Sequence, residues 1–372
     1  MRLRDYHTLK SQISQSQISQ FMNRKNYNLF LIALLILAAT FSAKAQDPFF
    51  TQYYASPLSL NPAMMGVFQG QWRMNANYRQ QWGGIFSDIP LRTIHASFDY
   101  RIRIVDEDYI AFGLNAIQDE TGAYSKLKST RGALGISYMK QLSGDRYRSA
   151  DQYLVAGIQV GPGQFRSGID GLWFDRQYDS LSFSPNTNLA SGEVPPQSNM
   201  YLDFTAGLMW YMVADDNKSF YIGGSAHHLS NPNISFLGNK SETLRRRFSV
   251  NMGGEIPLND ELSLLPSMMA SVQGPSMMTQ FGSNFRYSNH DWEEVAIRVG
   301  GAYRLSNKYS GITGDAFTIT GMLEMNGWVL GASYDIHTST ILKPTNGRGA
   351  WELSLIYVAP ERFPVKTSCP KF

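Results

Sequence analysis

From residue 70 onward the chain alternates. In YLVAGIQVG, 153–161, Leu154, Ala156, Ile158 and Val160 fall on one face, and Tyr153, Val155, Gly157, Gln159 and Gly161 on the other. In EEVAIRVGGAYRL, 293–305, Val295, Ile297 and Val299 oppose Glu294, Ala296, Arg298 and Arg304. RFSVNMGGE, 247–255, sets Phe248, Val250 and Met252 against Ser249, Asn251 and Glu255. A period of two predicts strands whose faces meet different surroundings. About fourteen such segments follow: 70–79, 92–102, 109–118, 130–140, 151–161, 201–212, 219–229, 246–256, 261–270, 276–287, 294–304, 315–324, 327–336 and 349–358. Nine to eleven residues is roughly what a tilted strand needs to cross a bilayer, whereas soluble sandwiches use strands of about five or six. The pattern predicts an all-β fold, a transmembrane antiparallel outer-membrane β-barrel over 70–358. A secreted all-β protein with aromatic cores is the competing reading.

Composition sharpens that choice. Aromatics make up 13% of the chain and recur near segment ends, at Trp82, Tyr100, Tyr109, Trp210, Tyr211, Tyr303, Trp328 and Tyr357. Such rings suit the two bilayer interfaces. The chain is 43% hydrophobic, yet its mean hydropathy is only −0.26, as expected of a barrel with an apolar outside and a polar lumen. Glycines within the segments, among them Gly113, Gly135, Gly157, Gly207, Gly223 and Gly331, would weaken a soluble strand. In a barrel they fit wall curvature and let lumen contents approach the wall, more readily than ligand binding.

Residues before the strands carry an address. NLFLIALLILAATF, 28–41, follows Arg24 and Lys25 and precedes SAKAQ, with Ala43 and Ala45 ahead of Gln46. This is the pattern of a cleaved export signal over 22–45. Met22 offers an alternative start to Met1, leaving 1–21 as a polar extension with no predicted fold. Gln46, not cysteine, stands at the cleavage point, so an N-terminal lipid anchor is not expected. The only cysteine is Cys369, so no internal disulfide can form.

Candidate chemistry is sparse. Hydrolysis would need a nucleophile, a base and an orienting group. His95 and Ser97 share a strand face, but no GxSxG or HExxH accompanies them. The doublet His227-His228 is expected to split between the two faces. Asp315, Asp335 and Glu352 read as lumen carboxylates. No catalytic, metal or cofactor residues are assigned, and no cofactor is expected. A net charge of +3 is too small to indicate a nucleic-acid partner.

Three irregular parts remain. The first, 46–69, is aromatic and proline-broken, with Phe49, Phe50, Tyr53, Tyr54, Asn61 and Pro62, and reads as a plug or docking segment. The second, 162–200, carries Trp173, Phe174, Tyr178 and Phe183 among turn formers; it is expected to fold into the lumen or meet another protein. The third is the tail 359–372, with Cys369, Pro370, Lys371 and Phe372. It reads as a docking element, a barrel-sealing terminus or, through its thiol, a site of mixed-disulfide formation.

Several stretches together carry a resemblance: DPFFTQYYASPLSLNPAMMG at 47–66, YRQQW at 78–82, IPLRTIHASFDYRI at 89–102, WFDRQYDS at 173–180 and CPKF at 369–372. The chain resembles the PorP/SprF family of outer-membrane proteins, associated with type IX secretion and gliding motility in Bacteroidetes. The usual family ending is CPRF, so Lys371 is a charge-preserving departure. The resemblance implies a barrel of about fourteen strands with no known catalytic activity. It implies as partners the outer-membrane lipid, secreted adhesin-like cargo bearing a C-terminal sorting domain, and periplasmic components of the secretion machine. An even strand count puts both termini of the mature chain in the periplasm. A substrate-specific diffusion channel for small solutes is the alternative from another functional class.

Overall fold

Every backbone group in the hydrocarbon must find a partner within the protein, so a sheet there must close on itself. The computed structural model describes residues 47–372 except 83–90, 105–106, 123–126, 144–149, 170–171, 180–183, 187–188, 190–191, 193–195, 215–217, 237–241, 290–294, 309–310, 340–347, 361–368 and 371–372. The export signal and the 1–21 extension lie outside these residues. The strands are β1 (Trp72–Gln81), β2 (Leu91–Arg103), β3 (Tyr109–Thr121), β4 (Leu127–Ser143), β5 (Ala150–Ser167), β6 (Tyr178–Asp179), β7 (Ser184–Pro185), β8 (Tyr201–Ala214), β9 (Ser219–His227), β10 (Arg247–Pro257), β11 (Leu262–Gln273), β12 (Ser276–Tyr287), β13 (Val295–Lys308), β14 (Gly311–Met325), β15 (Trp328–His337) and β16 (Arg348–Ala359). All but β6 and β7 form one closed antiparallel barrel of fourteen strands, sealed where β1 pairs with β16. The short β6–β7 ribbon belongs to the insert between β5 and β8. Trp72 lies opposite Ala359, so the first and last strands begin and end at the same rim.

Turn chemistry matches the closures. Asn326 and Gly327 join β14 to β15 with φ of 49° and 79°, the doubly positive pair that a type I′ hairpin demands. Gly274, at φ 59°, opens the two-residue link from β11 to β12.

Burial runs opposite to that of a soluble protein. Leu134, Ile158 and Val299 point outward and are 62%, 60% and 56% exposed, whereas Arg73, Asn75, Asn77 and Arg79 on β1 point inward and are buried. The exposed apolar face is the lipid face. Trp72, Trp328 and Tyr357 cluster near the terminal rim, with the two indoles 5.1 Å and 4.5 Å from the Tyr357 ring, and Tyr78 meets Trp351 at 5.1 Å nearer the other rim. Two of the rings expected at the interfaces are not there. Tyr109 and Tyr211 are buried. Their parity puts them on the inward face, where Tyr211 stacks on Tyr153 at 4.9 Å.

Candidate functional site

The lumen holds the chain's own opening segment. From Phe50 to Phe68 every residue is buried except Ser59, which is partly buried. The path is a 3-10 turn at Tyr53–Ala55, one short helix α1 (Pro57–Leu60) and a second 3-10 turn at Pro62–Met64. Pro57 and Pro62 start their turns, where a missing N–H costs nothing. Asn61 caps the last turn, its Oδ1 accepting from Ala63 N at 2.9 Å. Pieces of three or four residues do not hold themselves in water; the wall dictates their shape. Burial pushes the Tyr54 phenol up to about 12, which keeps it neutral.

Three anchors tie this segment to inward-facing side chains. At the first, Glu352 accepts the backbone N–H groups of Thr51 and Gln52 at 2.8 and 2.9 Å. Arg79 bridges Glu352 and Asp335 at 3.1 and 2.7 Å, and Arg304 meets Asp335 at 3.0 Å. The Phe49 ring lies under both guanidiniums, 5.0 and 4.8 Å from ring centroid to carbon. Thr51 Oγ1 donates to Asp335 at 3.0 Å, and Gln280 Nε2 donates to Thr51 O at 2.8 Å. These charges are almost wholly out of water, which is tolerable because each is paired and hydrogen-bonded.

The second anchor is Asn61, whose Nδ2 reaches Leu208 O, Gly224 O and Asn251 Oδ1, each at 3.3 Å. Beside it Leu60 O accepts from Ser225 Oγ at 2.7 Å and from His227 Nε2 at 3.1 Å. At the third, Asp99 accepts from Gly66 N at 2.8 Å and pairs with Arg73, which also donates to Met64 O at 3.0 Å.

The wall is hollowed to receive the segment. A Cβ on Gly157 would lie 2.5 Å from Pro62 C and 2.8 Å from Ala63 N; one on Gly113 would lie 2.9 Å from Leu58 Cδ2. Gly135 abuts Met65, Gly207 and Gly223 abut Asn61, and Gly331 abuts Gln52. Gly113 pairs with Gly135 and Gly157 with Gly207, so the glycines form a trough. The expected approach of lumen contents to the wall is met at each of these glycines by the luminal segment.

Other sequence candidates lie elsewhere. Cys369 and Pro370 are buried, with Arg101 Nη1 donating to Cys369 Sγ at 3.2 Å and Tyr211 OH 3.8 Å from the same sulfur. Lys371 and Phe372 lie outside the described residues. In the insert, Trp173 stacks on Tyr178 at 6.2 Å; the two are 54% and 44% exposed. Phe174 is partly buried, its N–H donating to Gln177 Oε1 at 3.1 Å. Phe183 is not among the described residues.

The histidines assemble no hydrolytic triad among the described residues. His95 lies 2.8 Å from Asn115 Oδ1, while Ser97 accepts from Asn75. Ser225 lies 3.0 Å from His227, but both direct their bonds at Leu60 O. The expectation that His227 and His228 face apart is corrected. His228 sits at φ 57°, just past the end of β9, and both rings line one lumen cavity. No group of three metal-ligating side chains occurs among the described residues. Sequence reasoning missed Arg73, Arg79, Asp99, Asn251 and Arg304 as site residues. For Arg73 and Arg79 the available signal was a basic residue at inward parity opposite an acid on a neighbouring strand, Asp99 and Glu352.

A family model described as type IX secretion system membrane protein PorP/SprF matches residues 42–357. No curated protein matches the chain. Among solved structures, a Pseudomonas aeruginosa FadL homologue is 14% identical, with 80% of this chain and 92% of that one covered and a TM-score of 0.45. The Ralstonia pickettii toluene transporter TbuX is 11% identical, with 82% and 92% covered and a TM-score of 0.44. CdiB from Escherichia coli is 8% identical, with 78% and 64% covered and a TM-score of 0.44.

Proposed function

The chain belongs to the PorP/SprF family of type IX secretion system membrane proteins, and we propose that it is a non-enzymatic, closed outer-membrane component that supports export or surface attachment of partner cargo. A secretion-related role in the outer membrane follows from the family; the family and the barrel are of structural or transport type. The finer reading concerns adhesin-like cargo with a C-terminal sorting domain, periplasmic partners and a link to gliding. In this reading both ends of the mature chain face the periplasm and the insert with Trp173, Phe174 and Tyr178 faces outward, where rigid rings suit a protein contact.

One observation carries the choice against a small-solute channel. Fourteen strands spaced about 4.8 Å apart and tilted about 40° give a backbone diameter of roughly 28 Å, ample for a water-filled pore if empty. Segment 48–70 occupies that space and is tied at three places, which supports a barrel that presents surfaces and does not conduct. The test pairs planar-bilayer conductance of the purified protein with the surface proteins of cells with and without the gene. The expected result is a silent barrel and missing surface proteins. A large stable conductance with an unchanged surface would establish the channel instead.

A further inference from the structure

At the rim away from the termini, a cavity of about 60 Å³ lies between α1 and the wall. Arg131 of β4, Arg247 of β10, His227 and His228 line it, and Asp203 of β8 is the one carboxylate among its lining residues. Asp203 is engaged already: His228 Nδ1 lies 2.7 Å from its Oδ2, and Arg131 Nη1 lies 3.2 Å from His228 Nε2. Two guanidiniums against one carboxylate leave the lining net positive whatever the imidazoles carry. The floor is the luminal segment itself. Arg247 Nη2 donates to Ser59 O at 3.0 Å, and His227 Nε2 lies 3.1 Å from Leu60 O.

We propose that this cavity binds a carboxylate, and that its occupancy is coupled to the seating of the luminal segment. Size limits the ligand. The space is small, enough for a few waters or one carboxylate-sized group and not for a folded element. A guanidinium fork grips a carboxylate bidentately and more strongly than it grips a neutral carbonyl. A carboxylate drawn to Arg247 therefore competes with Ser59 O and loosens α1 from β10. By linkage, a loosened segment binds the carboxylate more tightly. The carboxylate can come from a small acid or from a polypeptide that dips into the rim. Binding here is independent of the secretion role; it sets what the rim senses.

The test uses the full-length protein in lipid nanodiscs with three probes: acetate, triglycine as its free acid and triglycine as its amide. The readout is backbone hydrogen exchange at Asn61, Ala63 and Met64. The acid forms are expected to speed exchange and the amide is not. Response to acetate assigns a small acid; response to the peptide acid alone assigns a polypeptide source. Arg131→Gln and Arg247→Gln are each expected to raise the half-maximal probe concentration about tenfold or more, as loss of a charge-assisted hydrogen bond should. Arg247→Gln also removes a segment anchor. Arg131→Gln leaves the Ser59 and Leu60 bonds in place, so it is the deciding variant if the other does not insert. No response to any probe, equal response to acid and amide, or a wild-type titration in Arg131→Gln overturns the proposal.

Discussion

Replacing Glu352 with alanine should free one end of the luminal segment and leave the other seated. The Glu352 carboxylate accepts the N–H groups of both Thr51 and Gln52. Each is a hydrogen bond to a charged group, contributing about 1.5–3 kcal/mol, so the pair amounts to roughly 3–6 kcal/mol. The rest of the charge cluster survives the change. Arg79 keeps Asp335, and Arg304 keeps Asp335 and Asp315 at 3.0 and 2.8 Å. The loss therefore falls on Thr51 and Gln52 and does not become a general collapse. Since about 1.4 kcal/mol is tenfold, exchange of those two amides should rise by about 10²–10⁴ if local opening governs it. Ala63 and Gly66, held by Asn61 and Asp99, should keep their protection. The assay is residue-resolved hydrogen exchange on barrels that still show heat-modifiable mobility. Glu352→Gln, which retains one neutral acceptor, should fall between. Wild-type protection at Thr51 and Gln52 would refute the anchor. Simultaneous loss at Ala63 and Gly66 would refute the independence of the anchors.

Valine at Gly157 and Gly207 together would drive methyl groups into the backbone of Pro62 and the side chain of Asn61, at about 1–3 kcal/mol per site; the variant should show intermittent conductance. Gly321→Ala, where a Cβ meets nothing within 4 Å, should stay silent in the same recording. Cys369, 3% exposed, should resist a polar maleimide in the folded barrel and react on denaturation; prompt labelling of the folded form would contradict its burial. Trp173→Ala with Tyr178→Ala should leave insertion intact and lower delivery of partner proteins to the cell surface. Unchanged delivery would remove the insert from the docking surface.

Strand number, strand order along the chain and the facing of residues in the cleanly alternating segments 153–161, 247–255 and 295–304 were legible in the sequence. A two-residue period bound to one apolar environment leaves a strand no other way to face; Ser249 and Asn251 turn inward because Phe248 and Val250 need lipid. The ends of the strands were less legible. Leu127–Ser143 and Ala150–Ser167 outrun their apolar cores, because pairing with a neighbour extends a ladder beyond the bilayer. Alternation likewise set His227 and His228 apart, but the positive φ that brings His228 beside its neighbour is a local backbone choice that periodicity does not register. The luminal segment shows the boundary most clearly. Its aromatics and prolines announced something other than a strand. Its seat depended on partners as distant in sequence as Thr51 and Glu352. Glycines read as curvature are a trough only when the segment lies against them. Arg79, Arg304, Asp335 and Glu352 become one anchor only when β1, β13, β15 and β16 have closed around it. Alternation is a property of each strand alone; a charge cluster and a cavity are properties of strands brought together, and only closure of the barrel does that.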